Sequence, residues 1–229
     1  MALHYQISQD LLLAFPTPML KAQMPGAEQV NPGLRELILQ RERDDPGVLR
    51  SNVGGWHSRD DLLNWPGREI EALKGWITHG VQRLTETTYG GDARGLRFDL
   101  DGDAWANVLR DGGYNKLHNH IGCSWSGVYY VSLGERRADV PGNGQIEFLD
   151  PRFGVDAVEL PGRPFGGSYV IDPEPGMLVI FPSWLYHYVN PFHGSGERIT
   201  VAFNIRVRML GQPQGPGQGP GQAPAPGPR

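Results

Sequence analysis

At 229 residues, with 39% hydrophobic content and a formal net charge of −4, the chain has apolar material for one well-buried core and no basic field for nucleic acid. Its single cysteine, Cys123, excludes an intramolecular disulfide and fits a reducing compartment. No stretch reaches the apolar length that crosses a bilayer, and "LLLAFPTPML" is a poor signal peptide because it follows Asp10, is broken by Pro16 and Pro18 and lacks a positive flank; a cytoplasmic protein without membrane or nucleic-acid partners is expected.

In chain order, "NPGLRELILQRERDD" opens with a helix-start signature in Asn31 and Pro32, and Leu34, Leu37 and Ile38 recur at helical spacing. A second helix fits "PGREIEALKGWITHGVQRLTETTYG", with Ile70, Leu73, Trp76, Ile77, Val81 and Leu84 on one stripe and Gly90 to end it. The intervening "SNVGGWHSRDDLLNW" reads as a structured loop. From about residue 95 short β-rich runs alternate with Gly and Pro: "AWANVLR", "SGVYYVSL", "GQIEFLD", "SYVIDP", "GMLVIFP", "LYHYVNP" and "RITVAFNIRV". Strands that follow helices without interleaving them indicate an antiparallel sandwich, with a jelly roll as the natural candidate. The expected organisation is one mainly β domain over 1–210, with helical support about 26–90 and a jelly-roll core about 95–210. The tail 211–229, "GQPQGPGQGPGQAPAPGPR", has no large apolar residue and is expected to be disordered.

The chemistry centres on "KLHNHIGCSWSGVYYV", where His118 and His120 stand one residue apart. Side chains at i and i+2 of an extended chain share a face, so the two imidazoles can converge on one point, which suggests a metal. A lone strand histidine is more often hydrogen-bonded than a ligand, so the pair needs a third partner. His4, His57, His79 and His193 sit in a terminus, a loop, a helix and a loop; His187, in "PEPGMLVIFPSWLYHYVNPF", sits on a late strand that a sandwich can bring beside an early one. Eleven residues on, alternation puts Arg198, Thr200, Ala202 and Asn204 on one face and Ile199, Val201 and Phe203 on the other. An arginine with a threonine beside it suits a carboxylate clamp, because guanidinium binds a carboxylate through two parallel hydrogen bonds and the hydroxyl adds another.

At these residues the chain resembles the Fe(II)/2-oxoglutarate-dependent oxygenase superfamily, whose pattern is His-x-Asp/Glu, a distal His, and Arg-x-Ser/Thr. Here these are "HNH" at 118 to 120, His187, and Arg198 with Thr200. More narrowly it is similar to an uncharacterised bacterial and phage group, through "LAFPTPMLKAQMPG", "SNVGGWHS", "SWSGVYYV", "FLDPR", "GMLVIFPSWLYHYVNP" and "RITVAFN". The resemblance implies a double-stranded β-helix that binds Fe(II), 2-oxoglutarate and O2. It implies oxidative decarboxylation of 2-oxoglutarate to succinate and CO2, coupled to hydroxylation of an unidentified small molecule or protein side chain, with ascorbate as a stimulant. It further implies that Tyr129 or Tyr130 helps hold the co-substrate and that Asn107 lines the same pocket. Trp105, Trp125, Tyr130 and Trp184 are candidates for an aromatic wall.

The departure from the pattern is His120, which stands where a carboxylate is usual. Three imidazoles leave the same open positions on iron as two imidazoles and a carboxylate, with the metal one charge unit more positive. The alternative third partner is a water or a carboxylate, Asp150 or Asp111. Two rival readings stay open: a cupin-type three-histidine dioxygenase without 2-oxoglutarate, which Gly112 six residues before His118 favours but the missing Glu does not, and a non-catalytic ligand-binding jelly roll.

Overall fold

A computed structural model describes residues 15–89, 97–157 and 167–210; Gly90, the tail from 211 and His4 lie outside these. Nine antiparallel strands form one sheet among the described residues: β1 (Leu20–Gln23), β2 (Asn52–His57), β3 (Phe98–His118), β4 (Trp125–Arg136), β5 (Ile146–Leu149), β6 (Ser168–Ile171), β7 (Met177–Pro182), β8 (His187–Val189) and β9 (Gly194–Met209). The order is β1-β7-β4-β9-β3-β8-β5-β6, with β2 paired to β3 off this path. Two helices, α1 (Ala27–Asp44) and α2 (Arg68–Thr88), complete a mainly β jelly-roll architecture. No helix among the described residues is long and apolar enough to cross a membrane.

Three elements differ from the sequence reading. Helix α1 begins at Ala27, after Gly26, so Pro32 lies inside it at the cost of one intrahelical bond. Asn31 is not a cap; its Oδ1 accepts the Tyr129 hydroxyl at 2.6 Å. The segment read as a loop contains β2 and a short 3-10 turn, Leu62–Asn64. Consecutive glycines weaken strand propensity, but Gly55 faces Leu109 so closely that any side chain there would collide with it, and the pairing overrides the propensity. Strand β1 pairs with β7 within a segment whose flanking prolines obscured it.

The sheet curls because β3 serves two halves of it. Phe98 to Leu109 pair with β9, whereas Asn115 and His118 pair with β8. Between them the β2–β3 register shifts, and Gly54 (φ 67°) and Gly112 (φ 82°) adopt left-handed backbone that a side chain would strain. Two apolar layers result. Ile70, Leu73 and Val81 of α2 and Leu34 and Ile38 of α1 pack on Ala106, Val201 and their neighbours, covering one face of the sheet. Val128, Tyr130, Phe148, Ile171, Val179 and Phe181 fill the inside of the curl. Alternation sends Val128 and Tyr130 of β4 to the inner layer and Tyr129 and Val131 to the helix-covered one, and it puts Ile199, Val201 and Phe203 of β9 on the helix side. The candidate site opens inside the curl.

Candidate metal centre and anion pocket

His118 ends β3, His120 follows it in the turn to β4, and His187 begins β8. The turn is pinned by the His120 N–H donating to the Ser183 carbonyl at 2.8 Å and the Ser124 N–H donating to Ile205 O at 2.9 Å. Their ring centroids lie 4.9 Å (118–120), 4.4 Å (118–187) and 5.3 Å (120–187) apart. One nitrogen from each falls within 4.8 Å of the others, a spacing that can hold a metal ion. Burial holds all three imidazoles neutral: His187 is depressed to about 3 and His120 to about 4, with further repulsion from His118 in both cases, and His118 also lies below its ordinary value. Neutral imidazole is the form that donates a lone pair to a metal. Asp150 pairs with Arg152 at 2.6 Å and Asp111 lies 3.4 Å from His193; neither carboxylate joins the cluster.

The same cavity is lined by Trp105, Asn107, Tyr130, Arg198 and Thr200, together with Ser51 and with Asn115, which the sequence reading missed. Arg198 is 2% exposed. Its Nε donates to the Gly144 carbonyl at 3.2 Å and its guanidinium lies 5.5 Å from the Tyr130 ring centre, but among the described residues no carboxylate pairs with it. Burial therefore lowers its pKa, the signature of a cation desolvated without a counterion. Two neighbouring atoms are likewise buried without a partner, Asn107 Oδ1 and the Tyr130 hydroxyl, whose pKa burial pushes up to about 12. An anion with hydrogen-bonding capacity would satisfy the guanidinium and the hydroxyl together.

Tyr129 is a correction. It points to the helix-covered face, where its ring meets Trp76 at 5.3 Å and its hydroxyl donates to Asn31, because neighbours on a strand face opposite ways. Of the aromatic-wall candidates, Trp105 and Tyr130 line the cavity, Trp125 packs on the helix side with its Nε1 donating to Thr85 Oγ1 at 2.9 Å, and Trp184 is half exposed. His57 is not in a loop: it is buried on β2 and stacks on Trp105 at 5.5 Å and 12°, which places Trp105 between His57 and His120. Arg136 and Arg137 are engaged with Asp172 and Asp139.

Residues 103–204 match a family described as "Putative 2OG-Fe(II) oxygenase". The fold is similar to that of a prolyl-4-hydroxylase from Pseudomonas putida (17% identity, 83% of this chain and 92% of that one, TM-score 0.54). It is also similar to a prolyl hydroxylase from Trichoplax adhaerens, solved with a hypoxia inducible factor peptide fragment (13%, 82% and 83%, TM-score 0.55). A third similar structure is HygX from Streptomyces hygroscopicus with nickel and 2-oxoglutarate bound (13%, 83% of each chain, TM-score 0.55). No curated protein matches the chain by sequence search.

Proposed function

We propose, from the match of residues 103–204 to the "Putative 2OG-Fe(II) oxygenase" family, that the chain hydroxylates its substrate at an Fe(II) held by His118, His120 and His187, with 2-oxoglutarate held by Arg198. The observation that carries the reading is the buried guanidinium of Arg198, without a carboxylate partner among the described residues and on the same cavity wall as the three imidazoles. A buried charge without a partner costs several kcal/mol, and an anionic ligand removes that cost. The distal carboxylate of 2-oxoglutarate fits, with Thr200 beside Arg198 and the unpartnered Tyr130 hydroxyl and Asn107 Oδ1 available to polar groups of the co-substrate or to water. When bound, iron with 2-oxoglutarate and O2 supplies the oxidation, releasing succinate and CO2.

The chain's own residues contribute position and dryness. His118 and His187 each anchor Nδ1 on a backbone carbonyl, of Lys116 at 2.6 Å and Leu185 at 2.9 Å, which fixes both rings in orientation. Trp105, Val128 and Phe181 wall the cavity with apolar surface and limit water. Similar folds hold a peptide in one case and hygromycin B in another, so both a protein side chain and a small molecule suit as substrate.

Anaerobic titration tests this. Apo-protein given Fe(II) and then 2-oxoglutarate should develop a weak visible charge-transfer band, and succinate should form slowly in air, faster with ascorbate. Iron binding with neither response would transfer the protein to the three-histidine dioxygenases that use no oxoacid.

A further inference from the structure

The three imidazoles are not held alike. Nδ1 of His118 and Nδ1 of His187 each face a backbone carbonyl oxygen, which only accepts, so both rings carry their proton on Nδ1 and leave Nε2 bare. His120 has a different neighbour. Its Nδ1 lies 3.4 Å from Nδ2 of Asn204, whose Oδ1 accepts the Ser126 hydroxyl at 2.7 Å. With the amide in this orientation Nδ1 accepts, the proton of the neutral ring resides on Nε2, and that nitrogen has no lone pair for a metal.

A half-turn of the amide reverses this without losing a contact. Oδ1 then accepts from Nδ1–H of His120, while Nδ2 donates to Ser126 Oγ, since a hydroxyl serves equally as donor and acceptor. The imidazole ring has less freedom: Trp105 lies 5.7 Å from it and is itself stacked on the buried His57, and the His120 backbone is tied to Ser183. Asn204 and Ser126 are opposed in the β4–β9 ladder, so the two side chains stay in register in either amide orientation.

Building on the metal reading above, we propose that Asn204 is a positioning residue: its amide orientation, shared with Ser126, sets the tautomer of His120 and decides whether the cluster takes its metal through three imidazoles or two. Asparagine suits this because it offers either partner at one position. Aspartate would offer only the acceptor and hold His120 in the ligating tautomer, whereas an apolar residue would select neither.

The test uses the full chain, 15N-labelled at histidine, with Zn(II) alone as probe. In the wild type, long-range 1H–15N correlations should show the His120 proton on Nε2 without metal and on Nδ1 with Zn(II). Asn204→Leu should weaken Zn(II) binding, read by chelator competition, by about ten- to a hundredfold, and Asn204→Asp should restore it. Asn204→Ala replaces the leucine variant should that one fail to fold. Wild-type Zn(II) affinity and unaltered His120 signals in the apolar variant overturn the inference alone, as does an aspartate variant no better than the apolar one. A wild type that takes up no Zn(II) overturns the metal reading, and this inference with it.

Discussion

His118 and His187 are directly opposed residues of the β3–β8 ladder, with ring centroids 4.4 Å apart, so the metal cluster is built into strand pairing. His187 is the more buried of the two, packed against Phe148 and Phe181. Replacing His187 by Ala should abolish tight Fe(II) binding, since two imidazoles remain, while the fold survives with a stability loss on the order of 1–3 kcal/mol. Iron stoichiometry after desalting, alongside a thermal melt, checks this; full iron occupancy in the variant would remove His187 from the ligand set.

Arg198→Met should leave Fe(II) affinity nearly unchanged and raise the 2-oxoglutarate requirement about a hundredfold, because losing the partner of a buried carboxylate costs on the order of 3 kcal/mol. Arg198→Lys should recover only part of this, as a point charge replaces a planar fork. The succinate yield against 2-oxoglutarate concentration reads both, and an unshifted curve for the methionine variant would exclude Arg198 from the anion site.

Tyr129 and Tyr130, adjacent on β4, should separate cleanly. Tyr129→Phe removes the hydrogen bond to Asn31 and should cost about 1 kcal/mol of stability without touching co-substrate affinity. Tyr130→Phe removes a buried hydroxyl that has no partner, so the apo-protein should be as stable or more so, while 2-oxoglutarate binds more weakly. Melts and oxoacid titrations of the two variants give four numbers; the reverse assignment of effects would show that the strand faces are exchanged.

The apo-protein should lose stability as pH falls from about 7 to 5. Unfolded imidazoles take up protons near 6.5, whereas the fold holds His187 near 3 and His120 near 4 through burial. Over that window the unfolded state binds more protons, so stability rises with pH, is complete above about 6.5 and declines on acidification toward the folded values. Carboxylates begin to protonate only below about 5, which leaves the upper window to the histidines. Melting temperatures of metal-free wild type and His187→Ala across this range should diverge, the variant falling less steeply; parallel lines would mean that His187 titrates as in a free peptide.

Part of this site was legible in the sequence through strand parity: Arg198, Thr200 and Asn204 alternate with apolar residues that the helices cover. His118 and His120 do converge as their spacing suggested, but His120 lies in the turn beyond β3 and is placed by the hydrogen bond of its N–H to Ser183. What parity cannot supply is which face is inner where both are apolar, hence the ambiguity between Tyr129 and Tyr130. Strand β2 was illegible for another reason: its two glycines look like a loop until the Leu109 side chain lies against Gly55, and that contact is between residues far apart in the chain. The strand placement of His57 went unrecognised with it. The partnership of Asn204 with His120 depends on a turn closing over the sheet and has no local signal.

Because β9 sends Val201 and Phe203 to the helix-covered layer and Thr200 and Ala202 to the cavity, its length over this interval is as constrained as its composition. Deleting one residue between Thr200 and Asn204, where β9 keeps an unbroken register with both β3 and β4, would exchange the two surfaces at every following position. A gain or loss of chain that keeps the site intact must then fall outside this interval. Chains of this shape can diversify what enters the cavity by lengthening or trimming the segments around it, while the interval from Arg198 to Asn204 stays at six residues.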